Sequence, residues 1–112
     1  MIFSCDKMTL LNGLNIAAKA LPSKSVNPIT EGILFKADGN EVILTTTDSS
    51  LTIQTKIAAD VKEEGQVVLT GKFFFEIIRK MPEGMIEIKG NHREGVSVTG
   101  NYSKMNISAL DP

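Results

Sequence analysis

A length of 112 residues suits one compact domain, and a hydrophobic content of 42% is enough to build a core for it. With 22% charged residues, no apolar run near the about 18 residues of a membrane helix, and one cysteine, the composition excludes a disordered chain, a coiled coil, a membrane-spanning helix and an internal disulfide framework. A net charge of −1 argues against tight, indiscriminate binding of nucleic acid.

Met1 to Asp6 has no basic region followed by an apolar segment, so no signal peptide is expected and a cytoplasmic protein is the natural reading. Ile2 to Cys5 alternates like a short strand, and Asp6 is a good N-cap for a helix from Lys7 to about Ala20. Leu10, Leu14, Ala17 and Leu21 share one face of that helix, with Asn12, Asn15 and Lys19 towards the other. Gly13 is a poor helix residue and suggests close packing. Residues 23–28 form a polar loop between prolines, with Lys24 near its middle. Three strands follow: 32–37, 41–47 after the turn signal Asp38-Gly39-Asn40, and the alternating 51–57. Asp48-Ser49-Ser50 between them reads as turn chemistry.

Residues 60–65 are acidic and turn-like. The β-branched run from Gln66 to Leu69 then leads to Thr70, a candidate cap for a second helix that Pro82 and Gly84 stop. At about 100° per residue, Phe73, Phe74, Phe75, Ile77, Ile78 and Met81 cover half of that helix or more. Lys72, Glu76 and Arg79 occupy the remaining strip, with Lys80 at its margin. Strands are expected again at 85–89, 96–99 and 103–110, the last with Met105, Ile107 and Ala109 on one face. Asp111-Pro112 reads as a cut before a linker.

The order is strand, helix, three strands, and then the same again. The halves register at an offset of 64 residues, where Phe3 matches Val67, Asp6 matches Thr70 and Leu14 matches Ile78. A weaker echo at 53 sets Glu41 on Glu94 and Asp48-Ser49-Ser50 on Asn101-Tyr102-Ser103. The expected fold is α+β: a duplicated βαβββ unit with two helices packed side by side on antiparallel sheet. Charge is divided between helices and body. Residues 7–24 and 72–80 hold six basic residues and one acid, a net +5, whereas the remainder is −6. Such a division can focus positive potential on one surface, and it also fits two stripes that are merely solvated.

Nothing in the pattern makes an enzyme. His92 is the only histidine and lies in an expected turn; Cys5 reads as a small buried thiol; metal-ligand spacing is missing, so neither metal nor cofactor is expected. The stretch from Gly65 to Lys72 differs from a phosphate-binding loop, with five residues between its glycines and Phe73 where a hydroxyl would hold magnesium. Asn101-Tyr102-Ser103 and Asn106-Ile107-Ser108 match the glycosylation triplet by chance.

Leu10-Leu11, Pro28-Ile29, Leu44 to Asp48, Lys72-Phe73-Phe74 through Ile77 to Pro82, and the closing Gly100 to Ser108 stand in an ordered set. Together they resemble the amino-terminal domain of the bacterial DNA polymerase III beta subunit family, the sliding clamps, from Met1 to Pro112. The resemblance implies the DNA clamp fold: three similar domains per subunit, two subunits closed head to tail around duplex DNA, helices lining the hole. It implies a non-catalytic processivity factor that contacts the DNA backbone without reading sequence. It places Lys24 at a loop contact with the duplex and Lys72 and Arg79 on the pore-facing second helix; Lys19 and Lys80 join them from the helical wheel. Asn12 stands where some relatives carry lysine. Met105 and Ile107 fall on the strand that meets the second clamp subunit, with Lys104 and Tyr102 near the same edge. Phe73 falls at an interface position that is charged in some relatives. A plain core role for Met105 and Ile107 stays open. Polymerase and clamp loader would bind regions absent from this chain, which is expected to be a fragment, the first of three domains. The other reading is a freestanding interaction module that uses an exposed edge strand.

Overall fold

Asp6 closes a strand and opens a helix in one residue. Its backbone is extended, and its carboxylate accepts the Met8 amide at 3.0 Å, satisfying one orphan donor of the first turn. Strand β1 (Ile2–Asp6) therefore runs directly into helix α1 (Lys7–Ala17), whose last turn tightens to a 3-10 turn at Ala18–Ala20. The computed structural model describes residues 1–20, 32–47, 51–101 and 103–111, without the side chains of Ala20, Gly71 and Lys72. The elements then run β2 (Gly32–Asp38), β3 (Glu41–Thr47), β4 (Thr52–Ala58), β5 (Asp60–Glu63), β6 (Gly65–Thr70), α2 (Gly71–Lys80), β7 (Met85–Asn91), β8 (Gly95–Gly100) and β9 (Ser103–Ile107).

Two of these differ from expectation. Residues 60–63 are a strand and not a turn: β5 adds to β1 in antiparallel register, with half-buried Val61 opposite Phe3. A strand at a sheet edge needs only one inward residue, and its charged neighbours discourage further pairing. Thr70 makes no side-chain capping bond; it ends β6 opposite Gly32, so the start of α2 is set by the sheet.

The strands form two antiparallel sheets, in the orders β5-β1-β7-β8-β9 and β4-β3-β2-β6. The duplicated unit is present, but each half lends its first strand to the other: β1 pairs with β7 and β6 with β2. The two joints share one register. Phe3 faces Ile88 as Val67 faces Phe35, and Cys5 faces Ile86 as Leu69 faces Ile33. Val67 lies 64 residues after Phe3 and Ile88 lies 53 after Phe35. The second offset then drifts, because the turn between Asp38 and Glu41 has two residues and that between Asn91 and Gly95 has three. Leu44 thus corresponds to Val98, Thr55 to Met105 and Ile57 to Ile107.

One core lies between the helices and the inner faces of both sheets. Phe3, Phe35, Leu44, Leu69, Ile86 and Ile88 point into it from the strands; Leu10, Leu14, Phe74 and Ile78 meet them from the helices. The rings of Phe35 and Phe74 meet edge to face at 5.1 Å. Gly13 brings α1 down on its sheet: a Cβ there would stand 2.6 Å from Ile57 Cγ2 and 3.2 Å from Leu44 Cδ1. Two different groups close the helix ends. The Thr46 hydroxyl donates to Ala17 O at the end of α1, while Lys7 Nζ donates to Arg79 O at 3.1 Å and Met81 O at 2.7 Å at the end of α2. The start of α1 therefore lies against the end of α2, and the two helices touch.

Candidate nucleic-acid interface

The residues of α2 divide into three classes. Phe74, Ile77 and Ile78 are buried, Phe75 is half-buried, and Phe73, Glu76, Arg79 and Lys80 are exposed. Three consecutive aromatics span about 200° of a helix, so only the middle one can point straight at the core. Phe73, expected among the core-facing residues, is 58% exposed. The outward strip is accordingly wider than expected, and it is aromatic as well as charged.

On this strip Arg79 is held by its own helix. Its Nη1 lies 3.4 Å from Glu76 Oε1, one turn back, and its guanidinium carbon lies 5.2 Å from the centroid of the Phe75 ring. The i, i+3 and i, i+4 spacings that make both contacts were legible in the sequence. Lys80 follows, exposed, at the end of the helix. On α1 and its terminal turn the exposed residues are Met8, Asn12, Asn15, Ile16 and Lys19.

Lys7 leaves the positive stripe. Its ammonium sits on the carbonyls that end α2, so one charge in the +5 counted along the helical segments serves the fold. Lys24 lies outside the described residues, as does the side chain of Lys72, which stands in the first turn of α2. The described outward charges of the two helical segments are then Lys19, Arg79 and Lys80 against Glu76. The described outward surface is basic, but modestly so.

The second candidate surface is β9, the last strand of its sheet, paired on one side by β8. Lys104 is exposed and Met105 is 40% exposed, whereas Ile107 is 8% exposed and belongs to the core. The strand faces thus separate Met105 from Ile107 by burial although both project from one side. Tyr102 lies outside the described residues. Strand β9 ends at Ile107, short of the expected 110; Leu110 instead exchanges two backbone hydrogen bonds with Val68.

Elsewhere the chemistry is sparse. Among the described residues no group of three or more His, Cys, Asp and Glu could hold a metal ion, and no helix is long and apolar enough to cross a membrane. Burial, and secondarily the charge of Asp6, pushes the Cys5 thiol up to about 12, which suppresses a nucleophilic thiolate. His92 Nε2 lies 3.9 Å from Asp111 Oδ2 on the surface, too far for a hydrogen bond.

Over residues 1–112 the chain matches the family described as DNA polymerase III beta subunit, N-terminal domain. The beta sliding clamp of Staphylococcus epidermidis is 35% identical over 120 aligned positions, which take in all of this chain and 32% of that protein. That of Staphylococcus aureus is 33% identical with the same coverage. The chain thus spans about a third of the length of these curated relatives. Among solved structures, the DNA polymerase sliding clamp of Bacillus subtilis superposes with a TM-score of 0.91 at 26% identity, over 99% of this chain and 31% of that one. The beta subunit of Streptococcus pyogenes DNA polymerase shares the fold, with a TM-score of 0.93 at 24% identity over 99% and 30%. Taken with the paired helices, the two sheets and the full-length match, these similarities establish that the chain belongs to the amino-terminal-domain family of the DNA polymerase III beta subunit.

Proposed function

We propose that this chain forms one domain in the wall of a ring that encircles duplex DNA and tethers a replicative polymerase to it. The observation that carries the reading is the division of charge: the exposed strip of the two helical segments is basic on a body that is acidic overall. Lys19, Arg79 and Lys80 would meet phosphates from this face, joined by Lys24 and Lys72. Contacts of this kind hold no base and favour no position along the duplex. A ring is retained by its topology, so the individual contacts can stay weak and the protein can move.

In this reading the chain acts without catalysis, in the cytoplasm, as the first of three similar domains. The open edge at β9 would meet a second clamp subunit, with Lys104 and Met105 presented to it and Ile107 supporting them from the core. Phe73 and Tyr102 would complete that border. Polymerase and clamp loader would bind elsewhere on the full protein. The open β9 edge also supports a second reading, a module that captures a partner by strand addition, with the basic strip incidental.

Retention on closed DNA distinguishes the two. The full-length protein carrying this domain, loaded on a nicked circle and passed over a sizing column, is expected to stay with the DNA and to be lost when the circle is cut. Equal retention on circle and linear DNA, or none on the circle, would overturn the ring.

A further inference from the structure

We propose that Glu76 sets how firmly the helical face holds DNA phosphate, by competing with it for the guanidinium of Arg79. The proposal rests on the DNA-facing reading above and adds to it a residue that tunes the contact. Glu76 is the only acid in either helix, and it stands one turn from Arg79 on the outward strip. Its carboxylate lies 3.4 Å from Arg79 Nη1, and both side chains are more than half exposed. An ion pair in that setting is weak and opens readily to solvent. A phosphodiester oxygen offers the same guanidinium a charged acceptor of matching geometry. Arg79 therefore has two acceptors, one resident and one supplied by the duplex.

Phe75 makes the exchange local. Its ring lies 5.2 Å from the guanidinium carbon, so a face of the planar group stays supported while its N–H edge changes partner. A phosphate that approaches the Nη1 edge of Arg79 must displace the carboxylate, which returns when that contact is lost. The net gain per contact is small in both directions. No position along the backbone becomes a deep well. Among the described residues neither Lys19 nor Lys80 has an acidic partner, so this brake acts on Arg79 alone.

Equilibrium titration of the full-length protein carrying this domain with a short blunt duplex, repeated across salt concentrations, tests the proposal. Glu76→Gln is expected to bind about threefold tighter, the scale of an exposed ion pair, with a salt slope steeper by up to about 0.9. Arg79→Ala is expected to bind more weakly, with a slope shallower by about 0.9. The double variant should match Arg79→Ala alone, because the carboxylate acts through the guanidinium. If Arg79→Ala binds as the parent does, the DNA-facing reading of this strip fails. If Arg79→Ala weakens binding and Glu76→Gln does not tighten it, only the competition fails. Equal tightening by Glu76→Gln in the Arg79→Ala background would assign the effect to direct repulsion and overturn the competition. Thermal midpoints confirm that the exposed substitutions leave each variant folded.

Discussion

The ammonium of Lys7 reaches across from the first turn of α1 to the Arg79 carbonyl in the last turn of α2, at 3.1 Å, and to that of the cap residue Met81 just past it, at 2.7 Å. A cation at a helix C-terminus meets both the orphan acceptors and the negative end of the dipole. Lys7→Met keeps most of the aliphatic stem and removes the charge, so it should lower stability by about 1–2 kcal/mol. Lys7→Arg should recover part of that loss, read as the midpoint of urea unfolding. Cys5 supplies a second test, by pH. Its folded thiol titrates at about 12 against an ordinary 9.0. Below pH 9 both states hold the proton and the group contributes no pH dependence. Above it the unfolded chain releases the proton that the folded chain keeps, so stability falls as pH rises towards 12. Comparing urea midpoints at pH 8 and pH 10 should show a drop that is smaller in Cys5→Ala.

At the scale of the element, Gly13 shows where helix propensity and packing oppose each other. Alanine would favour the helix by about 1 kcal/mol, yet its Cβ would meet the Cγ2 methyl of Ile57 at 2.6 Å, and branching at its Cβ leaves Ile57 little freedom to turn that methyl aside. Overpacking of this kind costs about 1–3 kcal/mol, so Gly13→Ala should be net destabilising in thermal unfolding. The corresponding position in α2 is Ile77, a buried side chain, so the two copies of the unit meet their sheets by opposite means. Among the described residues, both α-helices and eight of nine strands were legible in the sequence, because Asp6, Asp38-Gly39-Asn40 and Pro82 punctuate clear periodicities. β5 was not, since Asp60-Val61-Lys62-Glu63 has one apolar residue and becomes a strand only through β1. The helical wheel alone hid the outward turn of Phe73, which only the resemblance set at an interface position, because a wheel ranks residues by polarity and its neighbour Phe74 already fills the core. Lys7 enters the positive count of the helical segments for a related reason: composition along a helix does not register a partner 72 residues away.

Across the whole molecule, the correspondence of Thr55 with Met105 and of Ile57 with Ile107 sets an exposed position beside a core position on one strand. Ile107→Ala should cost about 2–4 kcal/mol as a core truncation. Met105→Asp, at a 40% exposed position, should leave the unfolding midpoint nearly unchanged and, in the full-length protein, shift the sedimentation equilibrium from dimer towards monomer. A Met105→Asp protein that stays dimeric would remove this side chain from the subunit contact.

The exchange of first strands between the halves also governs how the chain can leave a ribosome. Phe3 and Cys5 are made long before their partners on β7, which begin only at Met85. The sheet of β2, β3 and β4 likewise waits for β6 before Ile33 and Phe35 are covered along their free edge. Neither half contains a complete sheet on its own, and most of the chain must be made before either sheet can close. The nascent chain therefore carries one edge of β1 uncovered until β7 is made, so the interval between translating Phe3 and Ile88 is when a chaperone that binds short extended apolar segments has its target.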